Sequence, residues 1–292
     1  MITNTSIGHY GRLGNQMFQY SLLFAVSKKL GHEIVLPIEN EHRIKGRFNP
    51  VIEKEDVYGL DLFKGFDIDA HTATHNELLD KIEYKYNETY SGYCPDVFTT
   101  PDNTDFKGYF QYWKYFEGMF DEIRKEFTFL NSIESIALER MNDISGGQKT
   151  IGIHVRRGDG LQDNDRFQIL YPLDYYSKGI EIIKSSLEEE AKIVVFSDDT
   201  DWCKENIKFD NMVVADGWKA EKGANLENEH IIDLCMMTMC DHLVMANSTY
   251  SWWGAFLMRN ESGRVVVPNE WWGWGLKQNS EEFLRLPHWI SI

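Results

Sequence analysis

The stretch IGIHVRRGDG, residues 151–160, places His154, Arg156, Arg157 and Asp159 where an apolar run gives way to a Gly-rich turn. Two adjacent guanidinium groups at such a point suit an anion. An arginine fork meets a phosphate through two parallel hydrogen bonds, which a lysine cannot do. Side chains alternate along a strand, so the two arginines cannot both follow one face. One is expected to reach a ligand while the other fixes the loop through a carboxylate. The plainer use of the pair would be two surface salt bridges, each worth about 0–1 kcal/mol. The tight RRGD turn directly behind a buried strand weighs against that use.

Two more strand ends carry polar groups: Ser197-Asp198-Asp199 and Asn247-Ser248-Thr249. In open α/β sheets the ligand lies outside the carboxyl ends of the strands. One polar strand end is an ordinary loop; three on a single rim make a site. ANSTYSWWGAFL, residues 246–257, sets Asn247, Ser248, Thr249 and Ser251 at the start of a helix. Unpaired N–H groups and a positive dipole end suit a phosphate there, although Ser and Thr also serve as plain caps. Trp252 and Trp253 could stack on a ligand or pack a helix onto the sheet. GRLGNQ, residues 11–16, brings Arg12 and Asn15 to another helix start without the spacing of a nucleotide-binding loop. WWGWG, residues 271–275, reads equally as a sugar platform and as core. Asp67/Asp69, Asp163/Asp165 and Asp199/Asp201 have the spacing of a divalent-cation pair, but a chain with 46 acidic residues produces such pairs by chance. No His/Cys group has zinc spacing, and no GxSxG nucleophile elbow is present.

The elements that must hold these residues follow from the rest of the chain. Its 292 residues suit one large domain or two ordinary ones. With 30 basic and 46 acidic side chains the net charge is -16, which argues against general nucleic-acid binding and requires any anionic ligand to be held locally. No apolar run approaches the roughly 18–20 residues that span a bilayer, and the first residues lack the features of a signal peptide. Four cysteines without CxxC spacing point to a reduced, cytosolic protein.

Leu13, Met17, Phe18, Leu22, Ala25 and Val26 recur at helical spacing up to Gly31, and EIVLP then reads as a strand. Residues 40–105 are weakly patterned. GYFQYWKYF (108–116) leads into a helix expected over 117–143, and SGGQK (145–149) is the linker candidate. Beyond it, short apolar strands alternate with helices, the pattern of a parallel, doubly wound sheet. The expected domains are 1–147 and 148–292.

GRLGNQMFQY, GYFQYWKYF, HVRRGD, YPLDYY, FSDD and NSTYSWWGAFL together resemble glycosyltransferase family 11, the α-1,2-fucosyltransferases, in family order from residue 11 to about 270. The absence of an N-terminal membrane anchor looks like a bacterial member, working in the cytoplasm with peripheral contact at the inner membrane face left open. The resemblance implies an α/β, GT-B-like fold: two Rossmann-type lobes with a cleft between them. The N-terminal lobe would serve a galactose-containing oligosaccharide acceptor, with Trp113 and Trp272 as its candidate aromatic contacts. The C-terminal lobe would bind GDP-fucose. Transfer would be inverting and need no metal or other cofactor. Arg156 would contact the diphosphate, His154 and Asp198 would lie near guanine, and the amides of Asn247, Ser248, Thr249 and Ser251 would approach the phosphates. Asp159 is the first candidate for the base, with Asp163 and Asp165 behind it, and Asn15 is a second donor anchor from the facing lobe. Tyr112-Trp113 and Gly160 depart from the common family pattern. Two alternatives remain: a metal-dependent glycosyltransferase using an Asp-x-Asp pair, and a non-catalytic sugar-binding module built on the nine tryptophans.

Overall fold

The structure is a computed structural model of the chain. It describes residues 1–9, 11–38, 60–89, 92–158, 161, 166, 169–216, 228–277, 279 and 281–292. Asp159, Gly160, Asp163 and Asp165 therefore lie outside the described residues. The chain divides into two compact units, Met1–Thr128 and Phe129–Ile292.

In the first unit, β1 (Ile2–Thr3), β5 (Thr104–Lys107) and β4 (Tyr84–Asn87) form a parallel sheet in the order β1-β5-β4. A parallel pair, β2 (Val35–Pro37) and β3 (His71–Ala73), adjoins it through the bridge between Ile2 and Ile34. β2 is the strand expected at EIVLP, whereas β3, β4 and the start of β5 fall within the weakly patterned stretch and are too short to show an apolar period. Helix α1 (Leu13–Leu30) follows β1. It is buried almost all round from Leu13 to Val26 rather than along one stripe, as befits a helix in the middle of a core. Gly31 ends it at φ +74°, donating to the Ser27 carbonyl, with Lys28 and Lys29 in the last turn. Short helices α2 (Leu62–Gly65) and α3 (His75–Lys81) complete the outer connections, the latter with a capping box between Thr74 and Glu77.

The helix expected over 117–143 is two helices, α4 (Phe120–Glu126) and α5 (Asn131–Ser145). Phe127 and Phe129 are both buried. A continuous helix would turn them about 200° apart, so the chain leaves the helix between them. Phe127 packs edge-on against Phe66 and Tyr20 at 5.1 and 5.9 Å. The unit division accordingly precedes α5 and does not fall at SGGQK. Arg140 on α5 donates twice to Glu229, at 2.7 and 3.0 Å, and Glu134 accepts from Arg259 at 2.8 Å.

The second unit strings β6 (Thr150–Val155), α6 (Leu173–Lys184), β7 (Lys192–Ser197), α7 (Thr200–Asn206), β8 (Met212–Val214), α8 (Glu229–Thr238), β9 (His242–Val244), α9 (Thr249–Phe256), β10 (Val265–Val267) and β11 (Ile290–Ser291). Its strands are parallel in the order β11-β10-β9-β6-β7-β8. The alternation of apolar strands and helices predicts this doubly wound arrangement. The two-residue β11 is too short to have a sequence signature. Ile151, Ile153 and Val155 on one face of β6 join Tyr175, Tyr176 and Ile180 of α6 in the core. The chain runs outward from β6 to β7 and β8, then returns to the other side of β6 as β9. The order therefore reverses between β6 and β9, the topological switch point of the sheet.

Gly179 shows how closely α6 lies on this sheet. A Cβ there would stand 2.7 Å from Val244 Cγ1 and 3.4 Å from Val266 Cγ1. Alanine is the better helix former by about 1 kcal/mol, whereas overpacking a core costs about 1–3 kcal/mol. Because the obstruction is a pair of branched core side chains, the clash wins. Gly179→Ala is expected to lower unfolding free energy by up to about 2 kcal/mol in a denaturant titration.

Candidate active site

β6 carries its functional residues on alternate sides. All six of its residues are buried. Gly152, His154 and Arg156 share the face opposite α6. A Cβ at Gly152 would sit 2.8 Å from Leu243 Cδ1 and 3.0 Å from Cys240 Sγ, so glycine allows β9 and the end of α8 to close over that face. The His154 ring lies 5.4 Å from that of Tyr250 on α9. Past the end of the strand, Arg156 Nη1 donates to Ser248 Oγ at 3.3 Å.

Arg157 turns the other way. Its Nε donates to Asp199 Oδ2 at 3.1 Å, and its guanidinium stands 3.6 Å from the centre of the Trp202 ring, a cation–π stack on α7. Asp199 also caps α7 by accepting from the Trp202 amide at 3.2 Å. The Asp198 carboxylate accepts from the backbone amides of Arg157 and Gly158, at 2.9 and 3.1 Å. A Cβ at Gly158 would fall 2.8 Å from Asp198 Oδ2, so glycine at 158 permits this contact. Asp198 thus shapes the backbone of the arginine loop, whatever else it binds.

At the neighbouring strand end, Ser248 caps α9 by accepting from the Tyr250 amide at 3.3 Å. Asn247 donates Nδ2 to the Trp271 carbonyl at 2.9 Å. Thr249 opens the first turn of α9. Ser251 is completely buried and donates back to the carbonyls of Ala246 and Ser248, so its hydroxyl is engaged in the turn. Trp252 and Trp253 are both core residues, packed on each other at 5.0 Å.

Two buried polar atoms in this region have no hydrogen-bond partner: His154 Nδ1 and Asn247 Oδ1. Their residues are 6% and 7% exposed. A buried polar atom left unpaired costs about 1–3 kcal/mol, and these two are among eight such side-chain atoms in the described residues. Here they stand at the carboxyl ends of β6 and β9, on either side of the switch point. Burial pushes the His154 imidazole down to about 4, against the opposing pull of Asp198 and with some help from Arg156. The ring is therefore neutral at physiological pH and offers one donor and one acceptor nitrogen.

The remaining sequence candidates lie elsewhere. Asn15 sits in the first unit, in the opening turns of α1. Gly11 (φ +85°) must be glycine beside it, because a Cβ would come 1.9 Å from Asn15 Nδ2. Asn15 Oδ1 accepts from Gln111 Nε2 at 2.8 Å. Trp113 is only 8% exposed and packs edge-on against Phe120 at 6.1 Å, which leaves its ring little face to offer a sugar. Trp272 is partly buried, and Trp271 is core. The exposed member of WWGWG is Trp274, 61% exposed, with the Arg166 guanidinium 5.7 Å from its ring. Tyr250 and Gln111 went unremarked in sequence, although NSTYSWWG and GYFQ contain them. Among the described residues, no group of three His, Cys, Asp or Glu side chains could hold a metal ion, and no helix is long and apolar enough to cross a membrane.

Because the folded pKa of His154 lies below the unfolded value of 6.5, stability from its burial is complete above pH 6.5. It is lost as pH falls toward 4. Unfolding free energy is expected to drop by up to roughly 3 kcal/mol across that window. In His154→Gln this part of the pH dependence should vanish in the same denaturant titrations.

Comparison with known proteins agrees with this architecture. The family model described as Glycosyl transferase family 11 matches residues 2–292. Among characterised relatives, the O-antigen biosynthesis glycosyltransferase WbnK of Escherichia coli is 27% identical, over 97% of this chain and 98% of its own. An α-1,2-colitosyltransferase of Escherichia coli is 26% identical, over 89% and 90%. Galactoside α-(1,2)-fucosyltransferase 2 of Rattus norvegicus is 25% identical, over 98% of this chain and 76% of its own. Among solved structures, the NodZ α-1,6-fucosyltransferase soaked with GDP-fucose superposes with a TM-score of 0.52 at 12% identity, covering 88% of this chain and 92% of its own. That likeness concerns the fold, which is α/β and GT-B-like. With the family model matching nearly every residue, the chain belongs to glycosyltransferase family 11.

Proposed function

We propose that the protein is an inverting α-1,2-fucosyltransferase that moves L-fucose from GDP-fucose to O2 of a terminal galactose in a glycan. The observation that carries this reading is the pair of unsatisfied buried atoms, His154 Nδ1 and Asn247 Oδ1, beside Arg156 at the switch point of the second unit. Family membership, α-1,2-fucosyltransferase relatives at about 25% identity and a GDP-fucose-soaked neighbour in fold support the choice of donor.

Transfer breaks the bond between fucose C1 and the phosphate oxygen and forms one from C1 to galactose O2. Departing GDP keeps the bonding electron pair, and the hydroxyl proton passes to a base. Arg156 and the first amides of α9 stabilise the charge gathering on GDP. Neutral His154 and the Asn247 carbonyl recognise polar edges of the nucleotide, and Arg157 with Asp198 fixes the loop that carries Arg156. Asp159 is assigned as the base and Asn15 as a second donor anchor. No metal ion or other cofactor is required in this scheme. The setting is cytoplasmic synthesis of a surface polysaccharide, as the O-antigen relative favours. Because another relative is a colitosyltransferase, a second nucleotide sugar is the alternative donor.

Incubation with GDP-fucose and a panel of β-galactosides should yield a product whose NMR spectrum identifies an α-1,2 linkage. Neither product nor GDP-fucose hydrolysis would reject the proposal, and turnover of a different nucleotide sugar would select the alternative. EDTA should leave the rate unchanged. Arg156→Lys should fold normally yet lose about 10²–10³ in kcat, the usual cost of removing an oriented charge-stabilising donor. Near-normal transfer by that variant would remove Arg156 from the diphosphate.

A further inference from the structure

Asn15 does not stand alone in the first unit. It accepts from Gln111 Nε2 at 2.8 Å, and Gln111 is held by a turn of unusual construction. Phe110, a bulky residue, occupies the left-handed region at φ +51°, a conformation that persists only where the surroundings impose it. Tyr112 donates its amide to the Phe110 carbonyl at 2.8 Å, closing a three-residue turn about Gln111. Gln19 Nε2 on α1 holds the Gly108 carbonyl at 2.8 Å. The Phe110 ring is anchored among Phe106, Tyr86 and Tyr115.

One charged group grips this turn. Glu88, the residue after β4, accepts from the Tyr109 amide at 2.6 Å and from the Phe110 amide at 3.0 Å to each carboxylate oxygen. Its own amide donates to the Lys107 carbonyl at 2.8 Å, which extends the β4–β5 register by one step. The approach is so close that a Cβ at Gly108 would lie 2.3 Å from Glu88 Cβ. Burial raises the Glu88 carboxyl above the ordinary glutamate value, and the amides of Phe110 and Tyr109 oppose that shift. A carboxylate accepting two backbone amides forms strong, charge-assisted hydrogen bonds.

We propose that Glu88 is a positioning residue for Asn15: by gripping the amides of Tyr109 and Phe110 it holds Gln111 in the turn that keeps its side chain on Asn15 Oδ1. The assignment of Asn15 to the donor rests on the fucosyltransferase reading; the positioning role does not. Gln is the informative substitution, because its size is kept while one oxygen becomes a donor facing donor amides.

Two measurements test the proposal. In ¹H–¹⁵N spectra of protein labelled at Gln and Asn, the Gln111 side-chain amide protons should exchange at least tenfold faster in Glu88→Gln than in the wild type. Unchanged exchange overturns the proposal whether or not the protein transfers fucose. For transfer, a double-mutant cycle separates positioning from general damage. Glu88→Gln alone should lower kcat/KM for GDP-fucose at least tenfold, and adding it to Asn15→Ala should cost nothing more. Multiplying losses, or a Tm fall that accounts for the lost activity, would reduce Glu88 to a fold-holding residue. If Asn15→Ala transfers normally while Gln111 exchange still responds to Glu88→Gln, the donor-anchor reading fails and the positioning role stands.

Discussion

The candidate site depends on the complete burial of β6. All six of its residues are buried and pair with β7, and Ile151, Gly152 and Ile153 also pair with β9 on the other side. At the amino end of the strand the buried polar side chain of Thr150 is satisfied by Asp241, whereas His154 Nδ1 near the carboxyl end has no hydrogen-bond partner. The alternation of the strand then distributes adjacent residues to opposite layers. Arg156 goes to the serine cap of α9, and Arg157 to the aspartate cap of α7. Neither helix needs an arginine to form. Each cap residue is shared between starting a helix and gripping the loop.

That sharing resolves the disparity between an acidic chain and a cluster of positive charge. Arg157 is neutralised by Asp199 and stacked on Trp202, and Asp198 is occupied by the loop amides. On the other side of the loop Arg156 donates to the Ser248 hydroxyl. Burial keeps the His154 imidazole neutral against the opposing pull of Asp198, so it adds no second positive charge beside Arg156.

Much of this was legible in sequence because it follows from local rules. The β6 to β10 succession, the helix stop at Gly31 and the opposite directions taken by the two adjacent arginines come from period-two and period-3.6 patterning, the last from alternation alone. What escaped depends on distant partners. The break between α4 and α5 is fixed by the burial of both Phe127 and Phe129, which no local period announces. The strands of residues 71–107 are too short for a pattern, and α5 reads as the end of the first domain until its Arg140 is seen to meet Glu229. The burial of Trp113 and the exposure of Trp274 likewise reflect neighbours far along the chain. The engagement of Asp198 by backbone amides is invisible because any residue has an amide to give.

The two arginine contacts also differ in how much chain must be in place before they exist. Arg157 and Asp199 are 42 residues apart, bridged by one strand–helix–strand passage, whereas Arg156 and Ser248 are separated by 92. Closing the longer loop costs more entropy and waits on β9 inserting beside β6. The Arg157–Asp199 contact needs only β6, β7 and α7 in place, whereas the Arg156–Ser248 contact requires that the whole sheet, not merely its first half, has been assembled.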